Sequence, residues 1–359
     1  MNYNLLFVWL AFAALLARGT RSAKLTTVNG YEQLQTSRGF AIIIFVPIII
    51  FICTSNSRYW GDYGGYLLNY QMFPTNPTSA FSYIMSLEDS KGFYLFTYLV
   101  KILSGGSIIV YRLALAVLQS VPFIYLYRKY SPSYVFSVYL FVVTATPIAW
   151  MLNGIRQLIA AAIIYAATPL IIEKKYLKVL LVILFASLFH QTAVLMIPVA
   201  FIAQGEAWNK KTNLAVIGMI ALTLIFTRIS GAEDTFYEAA GYSTSDVLVG
   251  DDGVHPLRVL VSFVPVFLAY LGRRKIKEVS SPELNVFVNM SIISFGIYLI
   301  AMVTSGILVG RVPLYMNLYS YILLPIMIDL LFKGSTRKLV YFSATVLYFL
   351  YYYLQYGHR

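Results

Sequence analysis

The sequence predicts an all-α, polytopic membrane protein of about 10–12 transmembrane or partial helices. Three observations predict it. Of 359 residues, 59 % are hydrophobic and only 12 % charged, about half the roughly 25 % charge of soluble domains. Apolar runs long enough to cross a ~30 Å hydrocarbon core recur along the chain. Eighteen of the 27 Lys and Arg residues cluster in short loops between those runs, the pattern of cytoplasmic loops.

Spans are expected near 3–17, 39–55, 106–127, 133–151, 156–172, 213–229, 257–271, 284–309, 312–332 and 338–355, with a partial helix at 92–103. A single membrane domain, 1–359, then carries two polar external loops, about 56–91 and 230–256. The opening MNYNLLFVWLAFAALLARGTR has an apolar core, but its positive charges follow that core rather than precede it. It reads as a retained first helix with its N-terminus outside.

The lone Cys53 rules out an internal disulfide framework and a cysteine-based metal site. The net charge of +12 sits in the loops, and no soluble basic module exists to bind nucleic acid. There is no Walker loop and no dinucleotide fingerprint. A serine elbow is missing too. The three histidines, His190, His255 and His358, lack paired metal-ligand spacing. No cofactor is expected.

Residues 182–202 read VILFASLFHQTAVLMIPVAFI, with His190, Gln191 and Thr192 in the middle of an apolar run. If this segment crossed once, Lys210/Lys211 and the RRKIK cluster at 273–277 would both fall outside, against the positive-inside tendency. If residues 178–202 instead enter and return, as a re-entrant pair of half-helices turning near His190, every later basic cluster falls inside. Broken backbone at membrane depth is tolerated only where it is buried in protein or lines a cavity. A kinked single helix with His190 bonded to a neighbour is the alternative.

Polar residues accumulate on the external side of this topology. Arg156 and Gln157 open a span, Arg311 lies between two long apolar stretches, and Arg58, Asp62, Tyr63 and Tyr66 follow the second span. The external loop at 230–256 contributes six acids, with His255 and Arg258 at its end. Guanidinium groups grip phosphate bidentately, so arginines on one face point to an anion site, and lipid pyrophosphates are the membrane anions that suit it. Snorkelling to the interface is the competing explanation for Arg58 and Arg311.

Four segments in order, RYWGDYGGY at 58–66, GIRQLIAAAI at 154–163, LFHQTAVLMIP at 188–198 and RVPLYMNLYSYILLP at 311–325, resemble the EpsG-like, Wzy-type polysaccharide polymerases of bacteria. Together they extend over most of the chain. The family's E-x-G-[FY] element has a counterpart in SLEDSKGFYLF, where Glu88 stands further from Gly92 than the element would place it.

The resemblance implies a GT-C-like architecture and an inverting, metal-independent glycosyltransferase of the bacterial cytoplasmic membrane. It would join undecaprenyl-pyrophosphate-linked repeat units at the outer face, with a flippase and a chain-length regulator as possible partners besides membrane lipids. Arg156, Arg311 and Arg58 would then stabilise the leaving pyrophosphate. His190, or Asp62, would take the acceptor proton, and His190 would equally serve to hold a pyrophosphate oxygen. Gln157, Gln191, Tyr63, Tyr66, Tyr315 and Glu88 complete the expected substrate contacts. A ligase using the same donor, with His255 in its external loop, and a lipid-linked sugar transporter remain as rival functions.

Overall fold

The computed structural model describes residues 3–16, 21–28, 31–228, 253–306 and 308–357. The described residues are almost wholly helical, as expected, with one addition: an antiparallel β-hairpin of β1 (Arg21–Val28) and β2 (Tyr31–Thr36), pairing Val28 with Tyr31. The sequence between them is Asn29-Gly30, the strongest short hairpin signal, in the link between the expected spans 3–17 and 39–55.

Contacts divide the chain into two compact units, Met1–Ile197 and Pro198–Arg359, where the sequence showed no boundary. The first unit begins with α1 (Asn4–Leu16) and α2 (Arg38–Thr54). Three short helices follow, α3 (Gly61–Met72), α4 (Pro77–Ser86) and α5 (Lys91–Leu103), then the long α6 (Ile108–Tyr130). The expected span 133–151 is broken into α7 (Tyr134–Val143) and α8 (Thr146–Asn153), bent by 64°. Pro147 explains the break: it lacks an N–H and its ring would clash with the carbonyl four residues back. The chain turns at Ala145, φ 56°.

The span 156–172 is likewise divided, into α9 (Ile155–Ala166) and α10 (Thr168–Ile172), with Pro169 in the first turn of α10. Then come α11 (Tyr176–Ser187) and a 3-10 turn at Gln191–Leu195, so the helix breaks at the FHQT segment, and α12 (Met196–Ala203) carries the chain across the boundary into the second unit. Phe123, Phe141, Tyr127 and Tyr165 form the aromatic centre of this unit, with ring centroids 5.4–6.4 Å apart.

The second unit holds α13 (Lys210–Arg228), α14 (Pro256–Leu271), α15 (Arg273–Val279), α16 (Pro282–Val303), α17 (Ser320–Leu331) and α18 (Gly334–Tyr356). Its core is α16, packed against α13, α14 and α17. The expected span 312–332 starts as 3-10 turns at Val309–Tyr315 and bends by 49° into the helix that follows. Among the described residues, three helices are long and apolar enough to cross a membrane (α6, α13 and α16), and three bent pairs bring the number to as many as six.

Each unit gathers its basic loops at one end. In the first, Arg128 Nε donates to the Thr36 carbonyl at 2.9 Å, beside Arg38, and Glu173, paired with Lys175, also feels Lys129. The loops 36–38, 128–129 and 173–175 therefore share an end. In the second, backbone N–H groups of Ala207 and Trp208 donate to Asn285 and Asn289, and Lys275 Nζ donates to the Leu330 carbonyl at 3.2 Å. That gathers Lys210/Lys211, Arg273–Lys277 and Lys333 at one end. At the opposite end Val254 bonds the Ala301 carbonyl, and Arg258 bonds the Tyr356 hydroxyl. The loop grouping deduced from alternation thus holds within each unit.

Candidate active site

The residues that meet at the opposite end of the first unit centre on Arg156. It is the second residue of α9, whose N-terminus has Gly154 as cap and no side-chain acceptor. Free N–H groups at a helix start carry partial positive charge, so the guanidinium adds to a field that already favours an anion. Gly154 is needed here because Trp150 lies against it: a Cβ would come within 2.1 Å of the Trp150 ring.

Three groups hold Arg156. Its Nε donates to the Tyr66 hydroxyl (3.3 Å), and its Nη1 donates to Asp89 Oδ1 (3.2 Å) and to Ser90 Oγ (3.0 Å). The ion pair is only part-buried, the side chains being 29 % and 35 % exposed, so an incoming anion can compete for it. Burial pushes the Tyr66 phenol above its ordinary range, and Arg156 pulls it the other way; the phenol stays protonated at neutral pH. Ser90 sits at φ 57°, ψ 26°, and its side chain caps no backbone N–H. Left-handed backbone in a non-glycine residue stores strain, and here the strained turn aims the hydroxyl at Arg156.

Asp62 lies one turn before Tyr66 on α3, exposed, and is among the charges that Tyr66 feels. Tyr66 meets Phe93 edge-on at 5.6 Å. Phe73, Tyr83, Tyr94 and Tyr98 extend this aromatic wall along α4 and α5. Lys101 underpins the layer: its Nζ donates to the carbonyls of Tyr70, Gln71 and Phe73 at 2.7–2.9 Å, closing the C-terminus of α3.

The break in α11 is tied to the same layer. Gly92 N–H donates to the Leu188 carbonyl at 2.8 Å, and a Cβ on Gly92 would lie 2.8 Å from Leu188 Cβ and 3.0 Å from its carbonyl oxygen. Asp89 precedes this contact by three residues and His190 follows it by two. The turn containing Gln191 also packs against α9.

His190 is half-buried, and its Nδ1 accepts from the Thr192 N–H (3.4 Å) and lies 2.7 Å from the Thr192 hydroxyl. It is the N-cap of the 3-10 turn. Acceptance at Nδ1 leaves the proton of a neutral imidazole on Nε2.

The structure brings together Arg156, Tyr66 and Asp62, and places His190 on a segment attached to them. Gln157 is buried beside Arg156, at 3 % exposure. Tyr63 faces inward instead, its hydroxyl donating to the Ile52 carbonyl at 3.2 Å and its ring under the Arg112 guanidinium. Arg58, Glu88 and Gln191 are exposed, and the ion pair to Arg156 is made by Asp89, the neighbour of Glu88. Arg311 (half-buried) and Tyr315 (buried) belong to the second unit, in the 3-10 turn Val309–Tyr315. His255 caps α14 through Nδ1. The acids at 233–252 and His358 lie outside the described residues.

Sequence reasoning missed Asp89, Ser90, Lys101 and Arg112. The adjacent acids of SLEDSKGFY were a signal for the first; which of the two meets the arginine depends on the turn at Ser90.

The sequence profile of the EpsG family matches residues 40–359, which include every element of this site. The chain belongs to the EpsG family. No curated protein and no solved structure matches it. The membership makes this EpsG-family chain a membrane protein of the polysaccharide-polymerase type, in agreement with its apolar helices.

Proposed function

We propose that the chain joins undecaprenyl-pyrophosphate-linked oligosaccharide repeat units into a surface polysaccharide, at the outer face of the bacterial cytoplasmic membrane. The observation that carries this reading is Arg156 at the uncapped start of α9, held by a displaceable carboxylate and two hydroxyls. Family membership supplies the polysaccharide; the arginine supplies the leaving-group chemistry.

In the reaction, the acceptor sugar's hydroxyl oxygen attacks the donor's anomeric carbon as the bond from that carbon to the phosphate oxygen breaks. Configuration inverts, and undecaprenyl pyrophosphate leaves with the bonding electrons. Negative charge grows on the leaving group, so a preorganised guanidinium and helix N-terminus lower the barrier by several kcal/mol. The diphosphate displaces Asp89 from Arg156, and the Tyr66 hydroxyl donates to it.

His190, with Nδ1 occupied as a cap acceptor, offers Nε2–H to a phosphate oxygen. This supports the anion-holding role over the base. The acceptor proton goes to Asp62, on the Tyr66 side of α3. Arg311 and Tyr315 remain proposed as substrate contacts from the second unit, independent of this cluster. The chemistry needs no metal.

Orientation follows from the positive-inside tendency. If the tendency holds for every basic loop, the chain from Lys175 to Lys210 enters and returns, which is the re-entrant reading of residues 178–202. Twelve residues of α11 rise ~18 Å, a length that supports a His190 turn at membrane depth. The bond from Gly92 to Leu188 supports a polar external layer dipping to meet it. A membrane-impermeant probe that reaches a cysteine at Lys210 from outside would contradict this orientation, once Cys53 is replaced.

The test of function is the surface-glycan profile of the native host with the gene deleted, complemented by wild type or by Arg156→Ala. Glycan stopping at one repeat unit, with the ladder restored by wild type alone, is the expected result. Full-length polymer stranded on the lipid carrier would mean a ligase, and repeat units trapped in the cytoplasm would mean a transporter.

A further inference from the structure

Two cavities in the second unit share one residue, Trp208. The first, about 380 Å³, is an apolar groove between α13, α14 and α16, lined by side chains such as Val216, Met219, Phe263, Phe267, Phe295 and Leu299. The second, about 470 Å³, is polar and lies at the basic end: Arg273, Arg274 and Lys277 line it, with Glu206 the single acid in its lining, and with Ser280 and Asn285.

Trp208 is held between them at some expense. Its φ is 61°, a conformation rare for a bulky residue. Its backbone is fixed on both sides, the N–H donating to Asn289 Oδ1 at 3.1 Å and the carbonyl accepting from Asn213 Nδ2 at 2.9 Å. Asn289 itself is fully buried and also donates to the carbonyls of Ala203 and Glu206. The ring rests edge-on against Tyr270 at 5.9 Å, and Tyr270 in turn lies under the Arg273 guanidinium at 4.6 Å. The indole Nε1 is buried with no hydrogen-bond partner. Backbone strain that the surroundings enforce, at a residue lining both cavities, is the ground for a functional reading of Trp208.

An apolar groove, then an N–H donor, then three cations in sequence matches one ligand chemistry. We propose that this face of the second unit binds an anionic glycerophospholipid, with an acyl chain along α13 and α16, an ester oxygen at Trp208 Nε1, and the phosphate against Arg273, Arg274 and Lys277. Three bases against one acid give the charge complementarity, and a tryptophan at the boundary between chain and headgroup is the usual interfacial preference. Arg273 is already oriented, donating to the Tyr270 carbonyl at 3.2 Å. By the orientation proposed above, this is the cytoplasmic leaflet; the assay below does not depend on that. The site is distinct from the Arg156 cluster, which lies in the first unit, and it anchors the second unit's basic end to the lipid.

Quenching of tryptophan fluorescence by lipids brominated in the acyl chain reads the site directly. Full-length protein is reconstituted in phosphatidylcholine nanodiscs, with an equal small fraction of brominated phosphatidylglycerol or brominated phosphatidylcholine. The phosphatidylglycerol is expected to quench more, and the excess to vanish in Trp208→Phe, which removes the reporter. Each neutralised base is expected to lower the anionic preference roughly five-fold, through Arg274→Gln to Arg273→Gln/Arg274→Gln/Lys277→Gln. Arg274→Gln alone keeps the Arg273–Tyr270 bond and serves if the triple variant does not fold. Equal quenching by the two lipids, an excess that survives in Trp208→Phe, or a preference unchanged in Arg274→Gln would overturn the proposal. So would displacement by a polyprenyl phosphate at lower fraction than phosphatidylglycerol, since that lipid lacks glycerol esters.

Discussion

The Arg156 end of the first unit and the basic end of the second treat their charges in opposite ways. Around Arg156 a single guanidinium is shared by a carboxylate, a phenol and a hydroxyl drawn from two other segments, on short helices broken by design of the sequence. At the second unit's basic end, Arg273, Arg274 and Lys277 are exposed and outnumber the acid beside them. Pairing across distant segments requires glycine contacts and a strained turn, so it reports a place where geometry matters. Unpaired clustering requires only position along the chain, so it reports topology and the lipid surface.

The sharpest break in that comparison is a substitution that keeps geometry and removes chemistry. Asp62→Asn preserves shape, and as the proposed proton acceptor it is expected to lower turnover by about 10²–10⁴-fold, measured as repeat units joined per unit time in membranes with matched protein amounts. Lys333→Gln, at the basic end but outside the proposed lipid site, should leave the same rate unchanged. If both variants lose activity alike, the contrast between the two ends fails.

Next in size is the contact that ties α5 to the broken helix. Gly92→Ala forces a Cβ into Leu188, with an expected destabilisation of about 1–3 kcal/mol and a lower melting temperature in detergent. Gly65→Ala, where no atom lies within 4 Å of the new Cβ, is the control and should melt at or slightly above wild type, alanine being the better helix former. Lys101→Met strands three carbonyls at the end of α3, and its loss is expected to lower stability by a further amount in the range of about 1–3 kcal/mol.

The smallest effect is the most diagnostic of displacement. Asp89→Asn removes the resident competitor for Arg156, so the KM for the lipid diphosphate donor should fall by up to about five-fold, with kcat changed less. A raised KM would mean that Asp89 binds substrate rather than yielding to it. Chelation by EDTA is expected to leave turnover unchanged, checked on the same preparation.

Much of the fold was legible because hydropathy and basic loops are additive, local signals. The ten expected spans each coincide with helices, and the ends shared by Arg38, Arg128 and Lys175, or by Lys210, Arg273 and Lys333, are those that alternation required. The breaks at Pro147 and Pro169 were written in the sequence but overridden by the apolar run around them. The hairpin was written in Asn29-Gly30.

Within the site, Arg156 and Tyr66 could be named but not their partner. Glu88 and Asp89 differ by one residue, and the left-handed turn at Ser90, which no local pattern in the sequence announces, chooses between them. Tyr63 and Tyr66 share a helix and a composition; only the position of Arg112 and Ile52 turns the first inward. His190 was visible as an oddity, yet its role turns on the Thr192 N–H, which depends on where the helix breaks.

The most direct test of the central claim, that the Arg156 cluster carries the leaving-group chemistry, uses the purified chain reconstituted with its undecaprenyl-pyrophosphate-linked repeat unit. Released undecaprenyl pyrophosphate and product length are followed together for wild type and Arg156→Ala at equal folded amounts. The account predicts a rate at least about 10²-fold lower in the variant, with both readouts falling in step. An Arg156→Ala enzyme that releases carrier and extends glycan at the wild-type rate would contradict it.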